Sequence, residues 1–133
     1  MVFGVFDIIH NGHRHFLREA KKLGKNLVTI LPPDAAVMLL KGHLPHHTLS
    51  ERVKNLEREA LADVILSGDD ISESWQIVKN IRPDIIALGY DQQKLGEALR
   101  QNFLKTPEKV KIVSITPYKD SSLHSNTLRK NIV

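Results

Sequence analysis

Apolar residues alternate between two textures along the chain. Short, nearly continuous runs occur at Met1–Val5, Asn26–Leu31 (NLVTIL), Val64–Leu66, Ile85–Leu88 and Val110–Ile115. Such runs read as strands covered on both faces. Met1–Val5 is the least complete of them. Between the runs, apolar positions recur at helical spacing. Phe16, Leu17, Ala20 and Leu23 share one face of a helix over His13–Leu23, which Gly24 would close as a C-terminal cap. Asp34 would cap a short helix through Leu40, and Ser50 a helix through Ala60 that turns Val53, Leu56 and Ala60 inward. Further helices are expected at Ile71–Ile81, broken by Pro83, at Lys94–Leu104, and at Ser125–Ile132. The order β-α-β-α-α-β-α-β-α-β-α predicts a Rossmann-like, doubly wound α/β fold, with a parallel five-stranded sheet in a single domain spanning 1–133.

In such folds ligands lie beyond the carboxyl ends of the strands, where strand order reverses. That brings together the loops Phe6–His13, Pro32–His47, Gly89–Gln92 and Pro117–Thr127. Composition narrows what they bind. The net charge is +4 before seven histidines are counted, which favours anionic partners. Dense Lys/Arg runs are missing and aromatics are few, so phosphorylated small molecules fit better than nucleic acid. No apolar run approaches the ~18–20 residues of a membrane span. The start lacks the pattern of a secretory leader, so a cytoplasmic location is expected. With no cysteine, thiol catalysis, thiolate metal sites and disulfides are excluded.

The first loop carries most of the chemistry. Gly4 permits close approach of a ligand to the strand end, Val5 and Phe6 lead out of it, and Asp7 and Asn11 are turn formers. Gly12 leaves space before a helix, and His13 sits near that helix's N-terminus, where unpaired N–H groups favour an anion. His10 and His13 can donate to phosphate oxygens as neutral rings or add charge if protonated. An alternative makes His10, His13 and His15 a metal cluster; with no clear carboxylate beside them it leaves Gly12 unexplained, and no metal-ligating residue is assigned.

This stretch, GVFDIIHNGHRHFLREAKKLG, resembles the G-x-F-D-x-x-H-x-G-H signature and the following F-L-x-x-A-x-x-L-G of the nucleotidyltransferase superfamily that includes the cytidylyltransferases and pantetheine-phosphate adenylyltransferase. The resemblance implies that His10 and His13 contact a triphosphate and stabilise the transition state. It extends to Lys41-Gly42, then Glu51-Arg52, then Asp63-Val64. A lysine after the second strand can reach phosphate as a mobile point charge, while Arg52 either meets the acceptor or orients loops through a salt bridge. The stretch Arg82-Pro83-Asp84 through Leu88-Gly89-Tyr90-Asp91-Gln92 is similar to that of archaeal-type FAD synthetases, which adenylylate FMN. There Gly89 marks the strand exit, and Asp91 and Gln92 can bond a base edge, a ribose hydroxyl or the acceptor. The last loop, from Tyr118 through Ser125, Thr127, Arg129 and Lys130, matches the superfamily's Ser/Thr motif in part: His124 and Asn126 depart from it. Ser125 can cap a helix, and Thr127 can hold the β- or γ-phosphate.

The implied reaction is in-line attack of an acceptor phosphate oxygen on the α-phosphorus of a triphosphate, with pyrophosphate leaving and Mg²⁺ bridging phosphates. His10, His13, Lys41 and Thr127 are the expected catalytic residues, with Arg129 a weaker candidate. Asp7, Lys41 and Arg52 are expected at the acceptor, and Asp7 alternatively at the metal. Gly4, Val5, Phe6, Asp7, Gly12, Gly89, Asp91, Gln92, Tyr118 and Ser125 are expected around the nucleotide. ATP with FMN is the favoured pair. CTP with glycerol 3-phosphate or another polyol or sugar phosphate is the alternative, and a catalytically idle nucleotide-binding module is a reading from another class. By analogy with relatives, a homodimer is expected.

Overall fold

The computed structural model describes residues 1–68, 75–103 and 110–118. Its elements are β1 (Val2–Phe3), α1 (Asn11–Lys21), β2 (Val28–Leu31), α2 (Asp34–Lys41), α3 (Leu49–Arg58), β3 (Val64–Ser67), α4 (Gln76–Ile81), β4 (Ile85–Leu88), α5 (Gln93–Phe103) and β5 (Lys111–Ser114). The helix expected over Ser125–Ile132, and the first residues of the one expected from Ile71, lie outside the described residues.

All strand pairing is parallel. It forms a three-stranded sheet, β1-β2-β3, and a two-stranded sheet, β4-β5. The expected single five-stranded sheet is therefore met only as an α/β fold with two parallel sheets. Their edges touch: the Met1 backbone nitrogen donates to the Ile85 carbonyl at 2.8 Å, and the Ala87 N–H donates to the Met1 carbonyl at 3.0 Å.

Because side chains alternate across a strand, each strand feeds two cores. Val2, Leu31 and Ala87 pack with Phe6, Leu17, Ala20 and Leu56 on the face covered by α1 and α3. Ile30, Ile86 and Leu88 pack with Trp75, Val78 and Leu99 on the face covered by α4 and α5. This two-sided burial is why the strands lack a polar face in sequence.

Several element ends differ from expectation, each for a local reason. Helix α1 begins at Asn11, earlier than periodicity suggests, because the His10 side chain itself caps it. The helix leaves through Lys22 in a right-handed conformation, so Gly24 is not a left-handed cap. That role falls to Gly42, at φ 78°, which closes α2. Helix α3 is capped by Thr48 rather than Ser50. Its hydroxyl accepts from the Glu51 N–H at 3.3 Å while Glu51 accepts from the Thr48 N–H at 3.0 Å. This reciprocal box is readable as T-x-x-E in sequence. Asp34 lies in the first turn of α2, with Pro33 at the cap.

Leu17 is fully buried between α1 and the sheet. Leu17→Ala is expected to destabilise the fold by about 2–5 kcal/mol. Urea denaturation measures this, and an unchanged midpoint would contradict the packing described.

Candidate active site

The histidines of the first loop form one unit. The His10 Nδ1 accepts the Gly12 N–H at 3.1 Å, and the His13 Nδ1 accepts the His10 N–H at 3.3 Å. This is a capping box built from two imidazoles, with the rings stacked at a centroid distance of 3.9 Å and 19° between planes. Since each Nδ1 accepts, the neutral tautomer of both rings carries its proton on Nε2. Burial, with the nearby positive groups of His10 and Lys41, pushes the His13 pKa from 6.5 down to about 4, against a backbone hydrogen bond with Ile8 that favours the charged form. His13 is thus a neutral N–H donor at pH 7, and the local positive charge comes from Lys41.

Phe6 supports this pair from below. It is buried and adopts a left-handed backbone at φ 49°, a conformation bulky residues rarely hold outside functional sites. Its ring meets His13 edge-on at 5.2 Å. Gly4 makes room for it: a Cβ there would lie 2.6 Å from the Phe6 ring. Gly4 therefore seats Phe6, which in turn seats His13.

Asp7 clasps the loop after α2. Its carboxylate oxygens accept the N–H groups of His46 at 2.7 Å and His47 at 2.8 Å. Burial pushes its pKa up, but these two bonds outweigh that and hold it below the ordinary carboxylate value. Asp7 thereby positions the loop before α3 against the first loop.

Arg52 takes the second of its two expected roles, orienting loops through a salt bridge. An acceptor ligand needs an accessible guanidinium, and Arg52 has 0% exposure. Its Nε donates to the His47 carbonyl at 3.2 Å and Nη1 to the Val5 carbonyl at 3.3 Å. Nη2 donates to the Pro32 carbonyl at 2.9 Å and to Asp34 Oδ1 at 2.7 Å. One side chain thereby ties the exits of β1 and β2, the start of α2 and the loop before α3. Val5 likewise enters through its carbonyl, as an acceptor for Arg52. The sequence signal for this hub was the E-R pair itself, but the direction of the side chain is set by burial.

The β4 exit is held by Gln92. Its Oε1 accepts the Gly89 N–H at 2.9 Å, and its Nε2 donates to the Phe3 carbonyl at 2.9 Å. The amide spans the gap between the β1 and β4 ends and staples them together. Asp91 remains exposed beside it. Next to this staple a cleft of about 500 Å³ is lined by Gly89, Tyr90, Gly96, Arg100 and Thr116. His15 does not converge with the other two histidines: its Nε2 bonds the Thr116 carbonyl at 3.0 Å, with its ring 5.8 Å from that of Tyr118. Ser125, Thr127 and Arg129 lie outside the described residues.

Parallel strands with helices on both faces, and a histidine-capped helix beside strand exits, define a phosphate-handling nucleotide-binding domain. The cytidylyltransferase-like family profile matches residues 1–131, and the chain belongs to that family. An FAD synthase of Thermococcus sibiricus is 41% identical over 115 residues, covering 86% of this chain and 77% of the relative. An FAD synthase of Aciduliprofundum boonei is 40% identical over 127 residues, covering 93% and 82%. The crystal structure of a lipopolysaccharide core biosynthesis protein from Thermoplasma volcanium superposes with a TM-score of 0.80 at 35% identity, over 90% of this chain and 96% of that one.

Two outcomes follow from the geometry. Arg52→Met strands three buried carbonyls and one carboxylate, and should cost about 3–5 kcal/mol in urea denaturation; a loss below about 1 kcal/mol would remove the hub. His13, with a folded pKa below its ordinary value, is protonated first in the unfolded chain. Its contribution makes stability fall as pH drops from 6.5 to about 4, and a proton NMR titration of its ring should give a midpoint near the lower figure. A midpoint at 6.5 would contradict the burial described.

Proposed function

We propose that this protein is an FMN adenylyltransferase, which joins AMP from ATP to FMN and releases pyrophosphate. The observation that carries the reading is the imidazole pair, stacked and locked in one tautomer at the start of α1, within a chain whose relatives include FAD synthases. An FMN phosphate oxygen attacks the α-phosphorus. The new P–O bond forms as the bond to the β-phosphate bridging oxygen breaks, and its electron pair leaves on pyrophosphate. The acceptor is anionic near neutral pH, so the chemistry needs placement and charge stabilisation more than a base. His10 and His13 brace the triphosphate with Nε2–H donors, and Lys41 neutralises developing charge. Thr127, Ser125 and Arg129 would add contacts to the leaving group. The base is expected at the cleft lined by Gly89 and Tyr90, with Asp91 exposed next to it in the chain.

Mg²⁺ enters as a companion of the triphosphate. Among the described residues no group of three His, Cys, Asp or Glu side chains converges, and the Asp7 oxygens are already engaged. The described side chains form no metal cage, and the cation is expected on phosphate oxygens and water. We further read the bonds of Met1 to Ile85 and Ala87 as joining the two sheets into one, in the order β3-β2-β1-β4-β5, within a single domain. That order reverses between β1 and β4, beside the histidine pair and the Gln92 staple. A homodimeric, cytoplasmic enzyme completes the proposal. Among the described residues no helix is long and apolar enough to cross a membrane.

His13→Ala should lower kcat for FAD formation by about a hundredfold or more while leaving the unfolding midpoint within about 0.5 kcal/mol. Pyrophosphate release measured over ATP and CTP, each with FMN and glycerol 3-phosphate, tests the substrates. Release only with CTP and glycerol 3-phosphate would replace the proposal, and binding without release would make the domain a non-catalytic module.

A further inference from the structure

Helix α2 has the wrong surface for its position. Its sequence, DAAVMLLK, is apolar almost all round, whereas a helix on a surface ordinarily turns polar residues outward. Ala36 and Val37 face the protein. Met38, Leu39 and Leu40 do not: they are 46%, 83% and 63% exposed, three apolar residues in succession. Leu44 follows at 62% and Ile8 stands in the first loop at 58%. A run of this kind destabilises solubility unless it serves binding.

The patch is not remote from the chemistry. It ends on Lys41, whose charge acts on His13. The Asp7 clasp on the His46 and His47 amides holds the segments bearing Ile8 and Leu44 together. The Arg52–Asp34 pair fixes the other end of α2 to the strand exits. Lys41 closes the helix that carries Leu39 and Leu40, so a cation and exposed aliphatic side chains stand within one helical turn.

We propose that this patch seats the flavin ring of FMN, with Leu39, Leu40 and Leu44 as the apolar platform and Lys41 at the phosphate. The inference rests on FMN being the acceptor. FMN has the matching polarity: an anionic phosphate, a polyol spacer and a flat ring system that gains by leaving water. A nucleotide base has a separate opening available in the cleft at the β4 and β5 exits, lined by Gly89, Tyr90 and Thr116. Burial of a flat ring requires apolar area and not stacking partners alone, and aliphatic residues supply that area here.

The test uses the whole chain with Leu39→Ser/Leu40→Ser and, separately, Leu44→Ser. Both alter exposed side chains, so the unfolding midpoint serves as a control. FMN affinity is read by flavin fluorescence titration, KM for FMN and ATP by steady-state FAD formation, and mass by sedimentation. The double variant should weaken FMN binding and raise its KM about tenfold, with the KM for ATP within about twofold. Unchanged FMN affinity overturns the proposal, as does a parallel rise in both KM values. A fall from dimer to monomer at unchanged FMN affinity overturns it too, and assigns the patch to a second copy of the chain. Failure of the unaltered protein to form FAD from ATP and FMN is a separate result: it removes the acceptor reading and this inference with it.

Discussion

A guanidinium that has no access to water must find acceptors inside the protein, and Arg52 finds them in four different segments. The rest of the site is arranged around that requirement. Two carbonyls at strand exits, one at the loop before α3 and the Asp34 carboxylate converge on it. Their mutual spacing is therefore set by one planar fork. Loops that would otherwise drift relative to one another become a single frame. A lysine offers three donors on a flexible stem and would not impose the same spacing.

On this frame sits a short chain of contacts leading to the histidines. Gly4 leaves room for Phe6, the Phe6 ring meets His13, and His13 accepts from the His10 backbone. The result is a stacked pair of rings whose Nδ1 atoms both accept, with His13 held uncharged by burial and by the neighbouring positive groups of His10 and Lys41. Charge and hydrogen-bond donation are thus divided between different residues. The rings supply directed donors, and Lys41 supplies the positive field. That division suits a triphosphate, whose oxygens need geometry at the reacting phosphorus and neutralisation as charge moves toward the leaving group.

Much of this was legible in the chain. Strand runs buried on two faces, helical spacing from Phe16 to Ala20, and the histidine motif placed the main elements and the centre of the site. What stayed hidden was direction. Glu51-Arg52 marks a functional neighbourhood, but only packing tells whether the guanidinium faces ligand or core. The staple made by the Gln92 amide is invisible in sequence because its partner, the Phe3 carbonyl, lies 89 positions away. Asp7 looks like a site carboxylate and spends its oxygens on loop amides. The sheet division was invisible for a different reason: β1 is only two residues long, so its pairing with β4 rests on a pair of backbone bonds rather than a ladder. Cap positions failed where two candidates stood close together, as with Thr48 and Ser50.

The left-handed backbone at Phe6 links two positions that the sequence presents as separate. With the aromatic ring folded back over residue 4, any side chain at 4 collides with the ring at 6. Substitution histories at these two sites should consequently be correlated: a lineage that acquires a larger residue at 4 must shrink or redirect the one at 6. The pair drifts together or not at all, and the histidine resting on it inherits that restriction.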